Sequence, residues 1–190
     1  MLIFVIFVAL CFAFTFYLVV IYNNLVSLKN NVARNWSNID VLLKQRYSEL
    51  PKLIDACKEY MKYEQETLEK IVNARKTAIN ATETKDLVAL SQAESTLKAG
   101  LTKLFGLVEN YPDLKSNEAF QKVQTRITEL EDSIADRREL YNDSVNLNNI
   151  RIQEIPDLFI ARAFHFHAFD LLTFSKAETE DVDVKGEFKA

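Results

Sequence analysis

The sequence predicts an all-α protein: an N-terminal transmembrane helix continuing into a long antiparallel helical bundle of three long helices plus a short C-terminal fourth. Three observations carry this. Residues 1–22, MLIFVIFVALCFAFTFYLVVIY, hold no charged side chain, and Leu2–Ile21 as an α-helix rises about 30 Å, roughly the hydrocarbon thickness of a bilayer. Beyond that run, apolar residues recur at spacings of three and four through most of the chain. Three Gly and three Pro leave little turn material for a sheet-rich fold.

The apolar run reads as an uncleaved anchor. A secretory signal carries a basic n-region and a small-x-small cleavage site, and this run starts with no Lys or Arg and outlasts the usual h-region. A lipoprotein signal places a small residue before the acylated cysteine, where Leu10 precedes Cys11 here. Lipid therefore contacts residues 2–21, Tyr17 and Tyr22 suit the interfacial belt, and Cys11 is a small apolar residue inside the span. Lys29, Arg34, Lys44 and Arg46, against Asp40 alone, mark the cytoplasmic flank. The expectation is a single-pass membrane protein with its N-terminus outside and its bundle cytoplasmic. Cys57, without a partner for a structural disulfide, fits a reducing compartment. On that topology Asn35-Trp36-Ser37, Asn80-Ala81-Thr82 and Asn142-Asp143-Ser144 are chance matches to the glycosylation triplet.

The domain reading is an anchor at 1–22, a bundle at 23–165, and an aromatic then acidic tail at 166–190. The formal charge of −4 lies wholly in the residues beyond the anchor. No clustered basic surface points to nucleic acid. The first body helix is expected to run, bent at Pro51, from about residue 23 to 81, continuous with the anchor. Its stripe is Leu25, Leu28, Val32, Trp36, Ile39, Leu43, Tyr47, Leu50, Ile54, Cys57, Met61, Leu68, Ile71 and Ile79. The phase passes through Pro51 without a skipped residue, where a turn would reset it.

The second helix starts near Thr84-Lys85-Asp86, which supplies a cap, and carries Leu87, Leu90, Leu97, Leu101, Leu104 and Val108. Gly100 and Gly106 on it are expected to mark close helix approach. It ends at Asn110-Tyr111-Pro112-Asp113. The third opens after Ser116-Asn117, carries Phe120, Val123, Ile127, Leu130, Ile134, Tyr141, Val145 and Ile152, and closes at Ile155-Pro156. Short loops make the three antiparallel neighbours. The segment 157–174 is rich in phenylalanine and needs burial, either as a short fourth helix capping the core or against a membrane or partner. Phe159, Phe164, Phe166 and Phe169 are the candidate contacts. An acidic cluster follows at 178–183.

Reactive chemistry is sparse. His165-x-His167 with Asp170 is the one metal-like grouping, and on a helix its two imidazoles lie about 200° apart, so no metal ligands, cofactor or catalytic residues are assigned. A di-iron bundle needs Glu-x-x-His pairs on its helices, while both histidines lie in the tail. Cys57 falls on the core stripe. The polar residues near core phase are Arg46, Glu64 or Gln65, and Arg75 on the first helix, Glu94 on the second, and Arg138 and Asn148 on the third. Buried charge is costly unless paired, so Arg46, Arg75, Glu94, Arg138 and Asn148 are read as a buried polar network setting register, or a partner site.

Several stretches resemble the LemA family in order and spacing. They are Tyr22-Asn23-Asn24-Leu25-Val26, the run Asn35-Trp36-Ser37-Asn38-Ile39-Asp40 on to Tyr47, and Leu50-Pro51-Lys52-Leu53-Ile54. Further matches are Glu66 to Arg75, Tyr111 to Phe120, and Tyr141-Asn142-Asp143-Ser144-Val145 with Asn149, Arg151, Ile152 and Pro156. The resemblance covers about residues 20–160 and implies a membrane-anchored antiparallel bundle. It implies no enzymatic reaction, and it departs at the aromatic tail. The expected function is a non-catalytic scaffold or adaptor at the cytoplasmic face, its protein partner unknown. The alternatives are a membrane-organising homo-oligomer gripping the bilayer through anchor and tail and, more remotely, a ligand-binding or enzymatic bundle using buried Arg and Glu.

Overall fold

The computed structural model describes residues 1–172; Phe174 and the acidic cluster 178–183 lie outside the described residues. Regular structure among the described residues is entirely helical: α1 Leu2–Tyr60, α2 Gln65–Thr84, α3 Leu87–Val108, α4 Pro112–Lys115, α5 Glu118–Arg151 and α6 Asp157–Ala163. The chain is all-α, with an N-terminal helix long and apolar enough to cross a membrane. Two compact units divide it. One comprises residues 1–41 and 135–171; the other is built on 42–134.

One expectation fails. The helix read from 23 to 81 is continuous with the apolar run and carries Pro51 inside it, but it ends at Tyr60. A tight corner at 61–64 separates it from α2, so four long helices replace three. Met61 and Leu68 are both buried one heptad apart, so the corner leaves the apolar phase intact. Between them lie Lys62, Tyr63, Glu64, Gln65, Glu66 and the buried Thr67, and Tyr63 is 94% exposed. A core stripe records only core positions, and a gap of this length can hold a turn without shifting them.

In the 42–134 unit, α2 and α3 form an antiparallel hairpin. Lys85 takes a left-handed conformation (φ 56°), with Lys85 N–H donating to Thr82 and Asp86 N–H to Ala81. This pattern is a Schellman C-cap. Asp86 then N-caps α3, its carboxylate accepting from Ala89 N at 2.9 Å. Ile71 and Gly100 lie equally far from this turn on facing helices, and a Cβ added to Gly100 would sit 2.9 Å from Ile71 Cγ1. Gly100 is thus a close approach, whereas Gly106 has nothing within 4 Å and its expected role is corrected.

The two glycines should respond differently to alanine. Gly100→Ala gains about 1 kcal/mol of helix propensity but overpacks against buried Ile71 at about 1–3 kcal/mol, so the net is neutral to destabilising. Gly106→Ala keeps the propensity gain alone and stabilises by up to about 1 kcal/mol. Thermal unfolding of the two variants followed by circular dichroism checks the ordering.

Along α1 and α5 the contacts in this unit run antiparallel: Gln45 with Arg126, Arg46 with Glu131, and Tyr60 with Asn117. Asn117 caps α5 by accepting from Ala119 N and Phe120 N, which settles Phe120 fully into the core.

In the other unit, Asn35 Nδ2 donates to the Leu140 carbonyl at 3.2 Å and Trp36 packs on Tyr141 with ring centroids 5.7 Å apart. Ile21 and Leu25 of α1 pack with Ile152 and Ala161. The aromatic segment is only partly the short helix expected of it. α6 covers 157–163, and residues 166–171 leave it as an irregular strap.

Candidate functional site

The most developed polar cluster lies in the 42–134 unit, where α1, α3 and α5 each contribute. Arg46 sits on the core stripe of α1 with 3% of its surface exposed. Its guanidinium forms an ion pair and hydrogen bond with the Glu94 carboxylate of α3, and its second amino nitrogen donates to Glu131 Oε1 of α5 at 3.5 Å. Tyr47, the next residue on α1, donates its hydroxyl to the other Glu94 oxygen at 2.7 Å. One carboxylate therefore receives two buried donors from consecutive residues.

The electrostatics follow from this packing. Burial works against the Arg46 charge, but Glu94, Tyr47 and Glu131 outweigh it and hold the guanidinium above its ordinary range. Burial pushes the Tyr47 phenol far up, and the Glu94 carboxylate adds to the rise. Burial likewise raises the Glu131 carboxyl against the pull of Arg46. A buried cation paired with carboxylates on two other helices suits holding those helices in register.

Arg75 plays a different part from the ion pairing expected of it. Its Nε donates at 2.7 Å to the backbone carbonyl of Tyr47. In an α-helix that carbonyl would accept from the N–H four residues on, and the residue there is Pro51, which has none. The Arg75 side chain from α2 thus supplies the donor that Pro51 removes. This is how α1 carries a proline in its interior and runs on to Tyr60.

Cys57 is fully buried, and burial pushes its thiol up to about 12. The folded value lies above the ordinary 9.0, so the native state binds this proton more tightly than the unfolded chain. Its stabilisation is complete below pH 9 and is lost as pH rises through about 12. The unfolding midpoint is expected to fall across that window, less steeply in Cys57→Ala. Thermal melts of both proteins at a series of alkaline pH values check this.

Arg138 and Asn148 belong to the other unit. Arg138 is half-buried on α5. Asn148 is 1% exposed, and its Nδ2 donates to the His167 carbonyl at 3.4 Å. Its neighbour Asn149 grips the backbone of Phe169 twice, donating to its carbonyl and accepting from its N–H, both at 2.9 Å. Tyr141 donates its hydroxyl to the Asp170 carbonyl at 3.0 Å. These three residues hold the 166–171 strap along α5. At the α5–α6 corner, the buried Asp157 carboxylate pairs with Arg151 Nε at 2.5 Å.

The four phenylalanines divide. Phe166 packs partly buried against the Ile21 cluster, and Phe169 is half-buried under the Asn149 clasp. Phe159 and Phe164 remain exposed at 63% and 58%. His165 and His167 are both exposed outside the helices, the latter stacked on Phe169.

Sequence reasoning missed Glu131, Asn149 and the Arg151–Asp157 pair, and it counted Tyr47 and Tyr141 only as apolar stripe. A signal for the tyrosines existed, because a phenol on a buried stripe needs an acceptor across the interface. The others carry no sequence signal, since their partners are set by which helices become neighbours.

Comparison with known proteins matches the sequence profile described as the LemA family to residues 35–186. Protein LemA of Metamycoplasma hominis is 28% identical over 163 residues, which is 85% of this chain and 73% of that protein. Magnetosome protein MamQ 2 of Paramagnetospirillum magneticum is 36% identical over 73 residues, or 38% of this chain. Magnetosome protein MamQ of Magnetospirillum gryphiswaldense is 31% identical over 85 residues, or 42% of the chain. The matched stretches span only 27% and 31% of the length of these two magnetosome relatives.

Proposed function

This chain belongs to the LemA family, and from that premise we propose that it is a non-catalytic, single-pass membrane scaffold that presents helix faces to protein partners at the cytoplasmic surface. The observation that carries the proposal is the continuity of α1. One helix of 59 residues begins with the apolar run and ends as a buried element of the bundle. A partner bound to the body is thereby held to the membrane through an unbroken helix rather than a linker. The N-terminus lies outside and the body inside, in keeping with Lys29, Arg34 and Lys44 just past the span.

The polar groups support a structural role: Arg46 and Tyr47 both bond the Glu94 carboxylate, and Arg75 repairs the Pro51 gap. The names of the relatives bring no reaction with them. One surface stands out for a partner, an open groove of about 620 Å³ where the end of α1 meets α2. Ile54, Met61, Leu68 and Val72 give it an apolar floor, with Lys58 and Lys62 on its rim.

The test is lysine crosslinking in intact membranes followed by mass spectrometry, on the native chain and on Val72→Asp. Val72 is 45% exposed, so the substitution leaves the core alone. A partner linked through Lys58 or Lys62 and lost in Val72→Asp, with helix content unchanged, supports the scaffold. Self-crosslinks alone favour the second reading, a homo-oligomer that organises the membrane. No specific crosslink in either protein rejects both.

A further inference from the structure

We propose that the α5–α6 corner and the start of the strap form a second lipid-binding element, which seats this end of the body in the headgroup layer of the bilayer entered by α1. The proposal rests on the spanning reading of α1. It starts from Ile21, the last residue of the apolar run. Ile21 is only 3% exposed, because Ile152 and Ala161 of the same unit cover it. A span of about 20 residues uses the whole hydrocarbon thickness. The elements packed on Ile21 therefore stand at the bilayer boundary, with no water gap to separate them from it.

The aromatic contacts repeat the same height. The Phe164 ring lies 4.8 Å from that of Tyr22 and the Phe166 ring 5.9 Å from it. Tyr22 is at the interfacial level that tyrosine favours, so Phe164 is at that level too. Its outward direction comes from a Schellman turn at the end of α6. His165 adopts φ 56°, its N–H donates to Arg162, and Phe166 N–H donates to Ala161. The turn sends Phe166 back onto the Ile21 cluster and leaves Phe164 outside.

Other apolar side chains of the corner are exposed as well: Ile150 at 56%, Ile155 at 74% and Phe159 at 63%. Exposed aromatic and branched side chains gathered beside a membrane span have an occupant at hand, the acyl–headgroup boundary. Exposed Arg162 on α6 adds a cation suited to lipid phosphate. A contact of this kind restrains α1 from turning or tilting freely about its single span.

The experiment uses the full chain with Cys11→Ala and Cys57→Ala, labelled with a fluorophore at Ile155→Cys, Phe159→Cys or Val41→Cys. Val41 is an exposed position on α1 about 28 Å along the helix from Tyr22. Each protein is reconstituted in phosphatidylcholine–phosphatidylglycerol vesicles containing lipid spin-labelled near the headgroup, and flotation reports anchoring separately. The expected result is spin-label quenching at 155 and 159 at least ~3-fold stronger than at 41, with iodide quenching correspondingly weaker. A floating protein whose 155 and 159 labels respond to iodide as 41 does overturns the second contact and leaves the anchor standing. Labels shielded from both quenchers also overturn it, and assign the patch to a second copy of the chain. A protein that fails to float rejects the anchor and this proposal together.

Discussion

Glu94→Ala is expected to destabilise the protein by about 3–5 kcal/mol, the cost of stranding a buried charge after its partner is removed. Arg46 is 3% exposed, and Glu94 is both its ion-pair partner and the acceptor of the Tyr47 hydroxyl. Glu131 does not replace it: its oxygen is 3.5 Å from Arg46, and burial already raises its carboxyl toward the neutral form. The loss is a desolvation effect, so removing the charge should recover much of it. The double variant Arg46→Met with Glu94→Leu replaces the pair with apolar groups of similar size. It still leaves the Tyr47 hydroxyl without Glu94, so it is expected to recover the share of the loss that belongs to the stranded charge and to be more stable than Glu94→Ala. Urea unfolding of the three proteins measures this. A double variant as unstable as Glu94→Ala contradicts the account.

Arg75→Met is expected to cost about 1–3 kcal/mol, because it removes the one donor that the Tyr47 carbonyl receives in place of Pro51. The cause is tested by a double-mutant cycle with Pro51→Ala. Alanine at position 51 brings back a backbone N–H that can close the helical bond to Tyr47. In that background Arg75→Met should cost less, with a coupling energy of at least about 0.5 kcal/mol. Equal losses in both backgrounds would mean that Arg75 stabilises through the packing of its stem rather than through this bond. Pro51 and Arg75 lie on different helices, α1 and α2, and periodicity gives no hint that they act together.

Much of the architecture was legible. Leu2–Ile21 declares its environment because a charge-free run of that length has few other uses. The heptad stripe located the core of α1, α3 and α5, where Leu25, Leu43, Leu97, Leu104, Phe120 and Ile127 are all buried. Capping residues placed Asp86 and Asn117 at or beside the starts of α3 and α5. Patterns of this kind are local, and local sequence holds them.

The corner at 61–64 was not legible. Both helices that meet there keep the same core phase, and no glycine or proline punctuates the turn. Burial near core phase could be read for Arg46 and Glu94, but not the third partner, Glu131, nor the redirection of Arg75 to a backbone carbonyl. The placing of Phe164 outside and Phe166 inside depends on one left-handed residue, His165, whose conformation is set by the Schellman turn it completes.

What the sequence by itself determined is the helical class, the apolar span and the buried stripes, because these follow from side-chain periodicity at 3.6 residues per turn. Only the tertiary structure decided which buried polar group meets which and which phenylalanines face outward. Those outcomes depend on distances between helices far apart in the chain, and a hydrogen bond is lost within an ångström or so of its optimum.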